Sequence, residues 1–238
     1  MVSDDGSTES YLSQSLHLTR GRICSLAVAV DDRPVVVAHA GETLAADLGT
    51  GTDPCEAWDA IEVRLLELLR VELVEGGIRR KPHVPGIVVG FNCKSFDIPR
   101  IYWRCVAYDH PLQGWVPWPA PHLKPWDVGD RVHDLMIHAR GPYAGGRANA
   151  ISQAELCRFL GVASDDQPGR GDQVYGWAVA GQWAEIAKHN AADIEEVREL
   201  YKRMPAFKWS GKVEGKPRVF LDVETIPDPL DPRWGRSE

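Results

Sequence analysis

Two carboxylates stand two residues apart in an otherwise apolar strand near the C-terminal end of the chain. The segment Pro217-Arg-Val-Phe-Leu-Asp-Val-Glu-Thr-Ile-Pro227 places Asp222 and Glu224 among residues typical of a buried strand. Residues i and i+2 of a strand share one face, so both carboxylates point into the same space. Buried acids repel each other and lose hydration, and a divalent cation beside them offsets both effects. The alternative is a solvated strand end whose acids are merely exposed.

The overall charge sets weak limits on function. The 238-residue chain has a formal net charge of −7, so it lacks the basic character typical of nucleic-acid-binding proteins. An acidic site that holds cations reverses its sign when loaded, and binding of nucleic acid therefore stays open.

Cysteine usage and hydropathy indicate the compartment. The five cysteines are scattered and odd in number, which favours free thiols in a reducing environment. The chain shows neither a run of about 18 apolar residues nor the pattern of a signal peptide. We expect a cytoplasmic protein without a membrane segment, in which residues 1–16 form a flexible N-terminal segment and residues 17–238 a single domain.

Strand and helix patterns alternate after an opening hairpin. Asp53-Pro54 and Ser152-Gln-Ala-Glu155 are typical helix starts. Predicted strands cover 22–30, 34–39, 87–91, 131–136 and a final segment that begins after Pro217 and ends with Asp222 and Glu224; predicted helices cover 53–75, 97–108, 152–161 and 182–204. Residues 111–129, 163–172 and 205–217 are predicted as irregular connections. This order favours an α/β fold whose sheet carries helices on both faces.

Three further polar residues stand where such a fold would gather ligands. Asp97 follows the end of the predicted strand 87–91, at the start of a helix. His189 and Asp193 are four residues apart on the long helix and share a face at the rim of its buried stripe. Each has a simpler interpretation: Asp97 as an acid favoured by the helix dipole, and His189–Asp193 as an ordinary helical pair.

Together these residues predict a metal site. Asp222, Glu224, Asp97 and Asp193 supply four carboxylates, which suit Mg²⁺ or Mn²⁺. Two such ions about 3.5–4 Å apart stabilise the attacking and leaving oxygens in phosphodiester cleavage. His189, whose ordinary pKa lies near pH 6.5, can orient and deprotonate the attacking water.

Three stretches carry a family resemblance: Phe220-Leu-Asp-Val-Glu-Thr-Ile-Pro-Asp228, Asn92-Cys-Lys-Ser-Phe-Asp-Ile-Pro99 and His189-Asn-Ala-Ala-Asp-Ile194. They resemble the three exonuclease motifs of the DEDD superfamily, most closely the predicted exonucleases similar to family-B polymerase proofreading domains. The resemblance implies a ribonuclease-H-like fold, a two-metal mechanism and 3′–5′ removal of nucleotides. We also expect Asn92 and Thr225 to contact the substrate and Asp134 to support the site, and a purely structural role is the alternative for Asn92 and Asp134.

The chain departs from the resembled families in two ways. Their order begins with the Asp-x-Glu strand, which here comes last, so we expect a circular permutation in which the C-terminal strand is central. A natural rearrangement and a fragment of a tandem copy both give this order. The resembled motif has a histidine five residues, or a tyrosine four residues, before the aspartate. Here His189 precedes Asp193 by four, and we expect it to occupy the position of the tyrosine.

The sequence therefore predicts a metal-dependent exonuclease acting on single-stranded or frayed DNA 3′ ends. RNA is not excluded, because nothing in the sequence reads a 2′-hydroxyl. One alternative is a catalytically inactive module on the same fold that binds nucleic acid or a protein partner. An endonuclease of the same fold is another, which the helix-borne His189–Asp193 motif disfavours.

Overall fold

The computed structural model describes residues 21–42, 54–73, 87–93, 96–114, 132–135, 151–162, 173–204 and 218–227. The strands are β1 (Gly21–Val30), β2 (Val36–His39), β3 (Ile87–Gly90), β4 (Val132–Asp134) and β5 (Arg218–Pro227). The α-helices are α1 (Pro54–Leu73), α2 (Asp97–Ala107), α3 (Gln153–Leu160), α4 (Val174–Val179) and α5 (Trp183–Arg203), and a 3-10 helix spans Pro111–Gly114. None of the helices in these ranges is both long and apolar enough to cross a membrane.

The five described strands form one mixed sheet with the order β2-β1-β5-β3-β4. β1 pairs antiparallel with both β2 and β5, whereas β3 pairs parallel with both β4 and β5. β5 is therefore the third of five strands, and the predicted central position of the C-terminal strand is confirmed. Its acids stand between neighbours contributed by distant parts of the chain.

Helices cover both faces of this sheet, as the sequence predicts. Leu26 and Val28 of β1 and Leu221 of β5 face a core completed by α1 and α2. Ala27 of β1 and Phe220 of β5 face the opposite way, into a core completed by α3 and α5. The alternation follows from the two-residue period of a strand, and it buries β1 and β5 on both sides.

The predicted helix ends agree with the structure where they lie in described residues. Ser152 and Glu155 form a reciprocal capping box, in which each side chain satisfies a backbone N–H of the other residue. Helix α3 is closed by its C-cap residue Gly161, whose φ of 62° is left-handed and suits glycine. The long helix runs from Trp183 to Arg203, within one residue of the prediction at each end.

Helix α4 is a feature that the sequence prediction missed. It has six residues, includes Gly176 and has no side-chain hydrogen bond at its N-cap, so local propensity gives little signal for it. Packing against β5 and α5 stabilises it. Predictions for residues 1–16, 115–131, 163–172 and 205–217 lie outside the described residues.

Candidate metal centre

The two acids of β5 face helix α5. Asp222 and Glu224 share the face of β5 that carries Phe220, and α5 packs along this face. The Nδ2 atom of Asn190 donates a hydrogen bond of 2.6 Å to Asp222 Oδ2. The Nε2 atom of His189 lies 3.3 Å from Glu224 Oε1. Consecutive residues of one helix therefore contact the two acids of the strand separately.

Asp193 joins this group from the next turn of α5. Its Oδ2 atom lies 3.6 Å from His189 Nε2, as expected for residues four apart on a helix. His189, Asp193 and Glu224 each present a possible ligand atom, and these atoms all lie within 4.8 Å of one another. The Trp177 ring meets the imidazole edge to face at 5.9 Å and covers part of it.

Asp97 reaches the site from the end of β3. β3 pairs with β5 as far as Val89 opposite Phe220, so Val223 lies beyond this pairing. Asp97 Oδ1 accepts a hydrogen bond of 2.9 Å from the N–H of Val223, the residue between Asp222 and Glu224. The carboxylate thus replaces the missing strand contact and lies beside both acids.

The turn after β3 makes this approach possible. An added side chain at Gly90 would bring its Cβ within 2.6 Å of Cys93 Cβ and 3.2 Å of the Leu221 carbonyl oxygen, so β3 ends in a position that only glycine fits. Asn92 then adopts a left-handed φ of 59°, and its N–H donates to Asp134 Oδ1 at 3.0 Å. Asp134 is fully buried and fixes the turn that leads into α2.

The other edge of the site is fixed by an irregularity in β1. The register between β1 and β5 shifts between Ile23 and Ser25, opposite Thr225 and Glu224. The N–H of Ile23 donates instead to Glu62 Oε1 at 2.7 Å. Glu62 is fully buried on α1, where two arginines form ion pairs with it and a tyrosine hydroxyl binds it: Arg22, Arg104 and Tyr108.

The site is electrostatically unfavourable for ionised acids in the absence of cations. Burial, opposed in part by the Val223 N–H and assisted by Glu224, raises the pKa of Asp97 to about 8. Burial raises the pKa of Asp193 to about 7, against the opposing effect of His189. Burial together with Asp97, Asp193 and Glu224 raises the pKa of Asp222 well above its ordinary range. These mutual effects place the four carboxyl groups in one electrostatic cluster.

No basic side chain of the described residues forms an ion pair with Asp97, Asp193, Asp222 or Glu224 other than His189. Arg100 is fully buried on α2, and burial lowers its pKa against a smaller opposing effect of the charge of Asp97. Its Nη1 atom, however, binds the Gly21 carbonyl oxygen at 3.2 Å. Among the described residues the imidazole is thus the single basic partner of these acids, and a bound cation would neutralise their negative charge when they ionise.

Of the predicted site residues, the structure brings possible ligand atoms of His189, Asp193 and Glu224 within 4.8 Å of one another. Asp97 and Asp222 lie beside this group without belonging to it, and the catalytic and metal-binding roles of all five residues stay predictions. Thr225 is mostly buried, and strand alternation turns its side chain to the face opposite Glu224. Asn92 lies in the turn beside the site. Contact of Asn92 and Thr225 with substrate stays a prediction.

Sequence reasoning missed two carboxamides that hold the acids. Asn190 contacts Asp222, and its signal was a polar residue within the apolar stripe of α5. The Gln153 Nε2 atom lies 3.4 Å from Asp193 Oδ1 and 3.0 Å from Glu196 Oε2. Gln153 follows a helix cap and carries no distinctive pattern, so only tertiary structure shows this contact.

Comparisons with protein-family models, with curated proteins and with solved structures find no match to this chain.

Proposed function

We propose that the chain is a metal-dependent 3′–5′ exonuclease that hydrolyses phosphodiester bonds at single-stranded or frayed DNA 3′ ends. One observation carries the proposal: Glu224 of β5 and Asp193 of α5 meet at His189, and Asp97 from the end of β3 binds the N–H between the two acids of β5. The DNA substrate and the 3′–5′ polarity rest on the motif resemblance. Convergence of these motifs at one site supports that resemblance, because the motifs are separated by long stretches of sequence.

The donor set fits Mg²⁺ or Mn²⁺. Asp97, Asp193, Asp222 and Glu224 offer the hard oxygen ligands that both ions prefer. The raised pKa values of Asp97, Asp193 and Asp222 mean that ionising the empty site is costly, and bound cations remove this cost. When bound, two ions stabilise charge on the attacking and leaving oxygens of the phosphodiester.

The chain's own residues position water and substrate in this proposal. His189 Nε2 lies against Glu224 and Asp193, so this nitrogen, the proton acceptor of the neutral imidazole in this proposal, is directed into the acidic site. It orients the attacking water and takes its proton. Trp177 restricts the imidazole from one side. Asn92 contributes polar groups at the edge where the DNA end enters.

We further propose that the fold is ribonuclease-H-like and circularly permuted. With β5 placed first, β5, β1 and β2 follow one another as antiparallel neighbours. β3 and β4 then lie on the other side of β5 and parallel to it. The acidic strand is central in this order, as the resemblance requires.

The test uses the purified full-length chain and a single-stranded DNA labelled at its 5′ end. With Mn²⁺ or Mg²⁺, we expect a ladder of labelled products that shorten progressively from the 3′ end, and EDTA should abolish it. An Asp222→Ala preparation made in parallel should be inactive, which excludes a contaminating nuclease. Absence of mononucleotide release under conditions in which a known exonuclease is active would contradict the proposal.

Two further substrates distinguish the alternatives. Cleavage of a closed single-stranded circle would indicate an endonuclease, and preference for RNA of the same sequence would correct the substrate class. Binding of DNA by both the wild type and Asp222→Ala, without hydrolysis by either, would identify an inactive binding module.

A further inference from the structure

We infer that Asn190 is a positioning residue that fixes the Asp222 carboxylate for cation binding, and that Ser25 fixes the orientation of Asn190. The inference rests on the proposed metal site. It adds two functional residues: Asn190, to which the motif resemblance gives no role, and Ser25, which lies outside the motifs. Both residues are polar and yet fully buried: Asn190 lies on the apolar face of α5, and Ser25 lies in the sheet.

The contact between Asn190 and Asp222 is short and directional. Nδ2 of Asn190 donates to Oδ2 of Asp222 at 2.6 Å, and no other side chain of the described residues donates a hydrogen bond to this carboxylate. The Asp222 oxygen that accepts this bond is held toward α5, and the bond restricts rotation of the carboxylate. Residues that hydrogen-bond to a metal ligand fix its orientation in this manner.

The hydroxyl of Ser25 determines which end of the Asn190 amide meets the acid. Ser25 Oγ lies 3.2 Å from Asn190 Oδ1 and 3.2 Å from the Ala38 carbonyl oxygen, so its single proton is shared between two acceptors. If the amide were reversed, its oxygen would face the Asp222 carboxylate. Donation from Ser25 to Oδ1 keeps Nδ2 directed at Asp222.

Mn²⁺ binding to the full-length chain without DNA tests the inference, with free Mn²⁺ measured by electron paramagnetic resonance. Asn190→Leu keeps a similar side-chain volume but cannot donate, and we expect an affinity loss of about 10–100-fold, typical for residues that support a metal ligand. Ser25→Ala should give a smaller loss of the same kind. Val197→Ala, a change at a buried apolar residue of the same helix that offers no hydrogen bond, should retain wild-type affinity.

A double-mutant cycle separates positioning from a general structural role. If Asn190 acts only through Asp222, then Asn190→Leu in an Asp222→Ala background should change Mn²⁺ affinity by no more than about twofold. Additive losses would overturn the inference, and so would wild-type affinity in folded Asn190→Leu. If Asn190→Leu does not fold by circular dichroism, the same cycle is performed with Ser25→Ala.

The outcomes also separate this inference from the proposed function. A wild-type chain that binds Mn²⁺ and degrades DNA, with Asn190→Leu unaffected, would contradict the inference alone. A wild-type chain that binds no Mn²⁺ would contradict both.

Discussion

The carboxylate of Asp97 accepts a 2.9 Å hydrogen bond from the N–H of Val223, the residue that separates the two acids of β5. One side chain therefore does two things: it replaces the strand contact that β3 no longer supplies, and it brings a third acid to the site. The first role requires an acceptor oxygen, whereas binding a cation also requires negative charge. Substitutions at Asp97 can separate these roles.

Asp97→Asn keeps an oxygen that can accept from Val223, and Asp97→Ala does not. We expect Asp97→Ala to lower the free energy of unfolding in EDTA by about 1–3 kcal/mol, because a buried N–H loses its partner. Asp97→Asn should be at least as stable as the wild type near pH 8, since it removes a buried charge. Both variants should lose most of the stabilisation by Mn²⁺. Urea unfolding with EDTA and with Mn²⁺ measures each effect, and equal destabilisation by both variants in EDTA would argue against the hydrogen bond.

The stability of the metal-free protein should fall as pH rises. The pKa of Asp97 is raised from 3.8 to about 8, and that of Asp193 from 3.8 to about 7. At pH values between the ordinary and the raised pKa of each acid, the folded state binds more protons than the unfolded chain. The free energy of unfolding therefore decreases with pH and levels off above about pH 8. Unfolding in EDTA from about pH 5 to about pH 9 measures this slope.

Cations should counteract this loss of stability with rising pH, because they bind the deprotonated acids. The gain in melting temperature on adding Mn²⁺ should increase across the same pH range. The double variant Asp97→Asn, Asp193→Asn is the control, and its stability in EDTA should depend less on pH. A wild-type stability in EDTA that falls no more than that of the double variant between about pH 5 and about pH 8 would contradict the raised pKa values of these acids.

His189 should affect catalysis more than cation binding. Its replacement by Phe removes the proton acceptor, and we expect the rate of DNA hydrolysis to fall by about 10²–10⁴-fold. Tyrosine stands at this spacing in the resembled motif, so His189→Tyr should retain more activity than His189→Phe. The two variants differ by one hydroxyl group, which controls for the loss of space beside Trp177. Single-turnover rates at saturating Mn²⁺ provide the measurement, and equal rates for the pair would contradict this role.

Local sequence patterns predicted most of the described elements. The capping box at Ser152, the apolar stripe of α5 and the alternation of β5 each act over a few residues, so they are legible without the fold. The same patterns located Asp97 after a strand, but the predicted position of Asp222 and Glu224 at a strand end was wrong, because β5 continues to Pro227 through its pairing with β1. Asp97 was predicted beside the site because it follows a buried strand, a relation that depends only on chain order.

The contacts that arrange these acids could not be predicted in this way. Asn190 contacts Asp222 because β5 lies under α5, and Glu62 binds the N–H of Ile23 at an irregularity that no local pattern marks. Helix α4 likewise depends on packing against β5 and α5. Each of these features joins residues far apart in sequence. Their geometry follows from the strand order rather than from any one segment.

The strand order also predicts which rearranged chains will fold. Pro227 at the end of β5 pairs with Gly21 at the start of β1, so residues 228–238 followed by residues 1–20 can join these ends across a short distance. We expect a permutant cut between Gly211 and Lys212, with the old ends joined, to unfold cooperatively and to gain stability with Mn²⁺ as the original does, because each doubling of a loop costs only about 0.6 kcal/mol. A control permutant cut between Val88 and Val89 interrupts β3 and should not fold. Urea unfolding followed by circular dichroism compares the two permutants. If the first were as disrupted as the second, covalent continuity between α5 and β5 would be essential, and the proposed circular permutation would lose its physical basis.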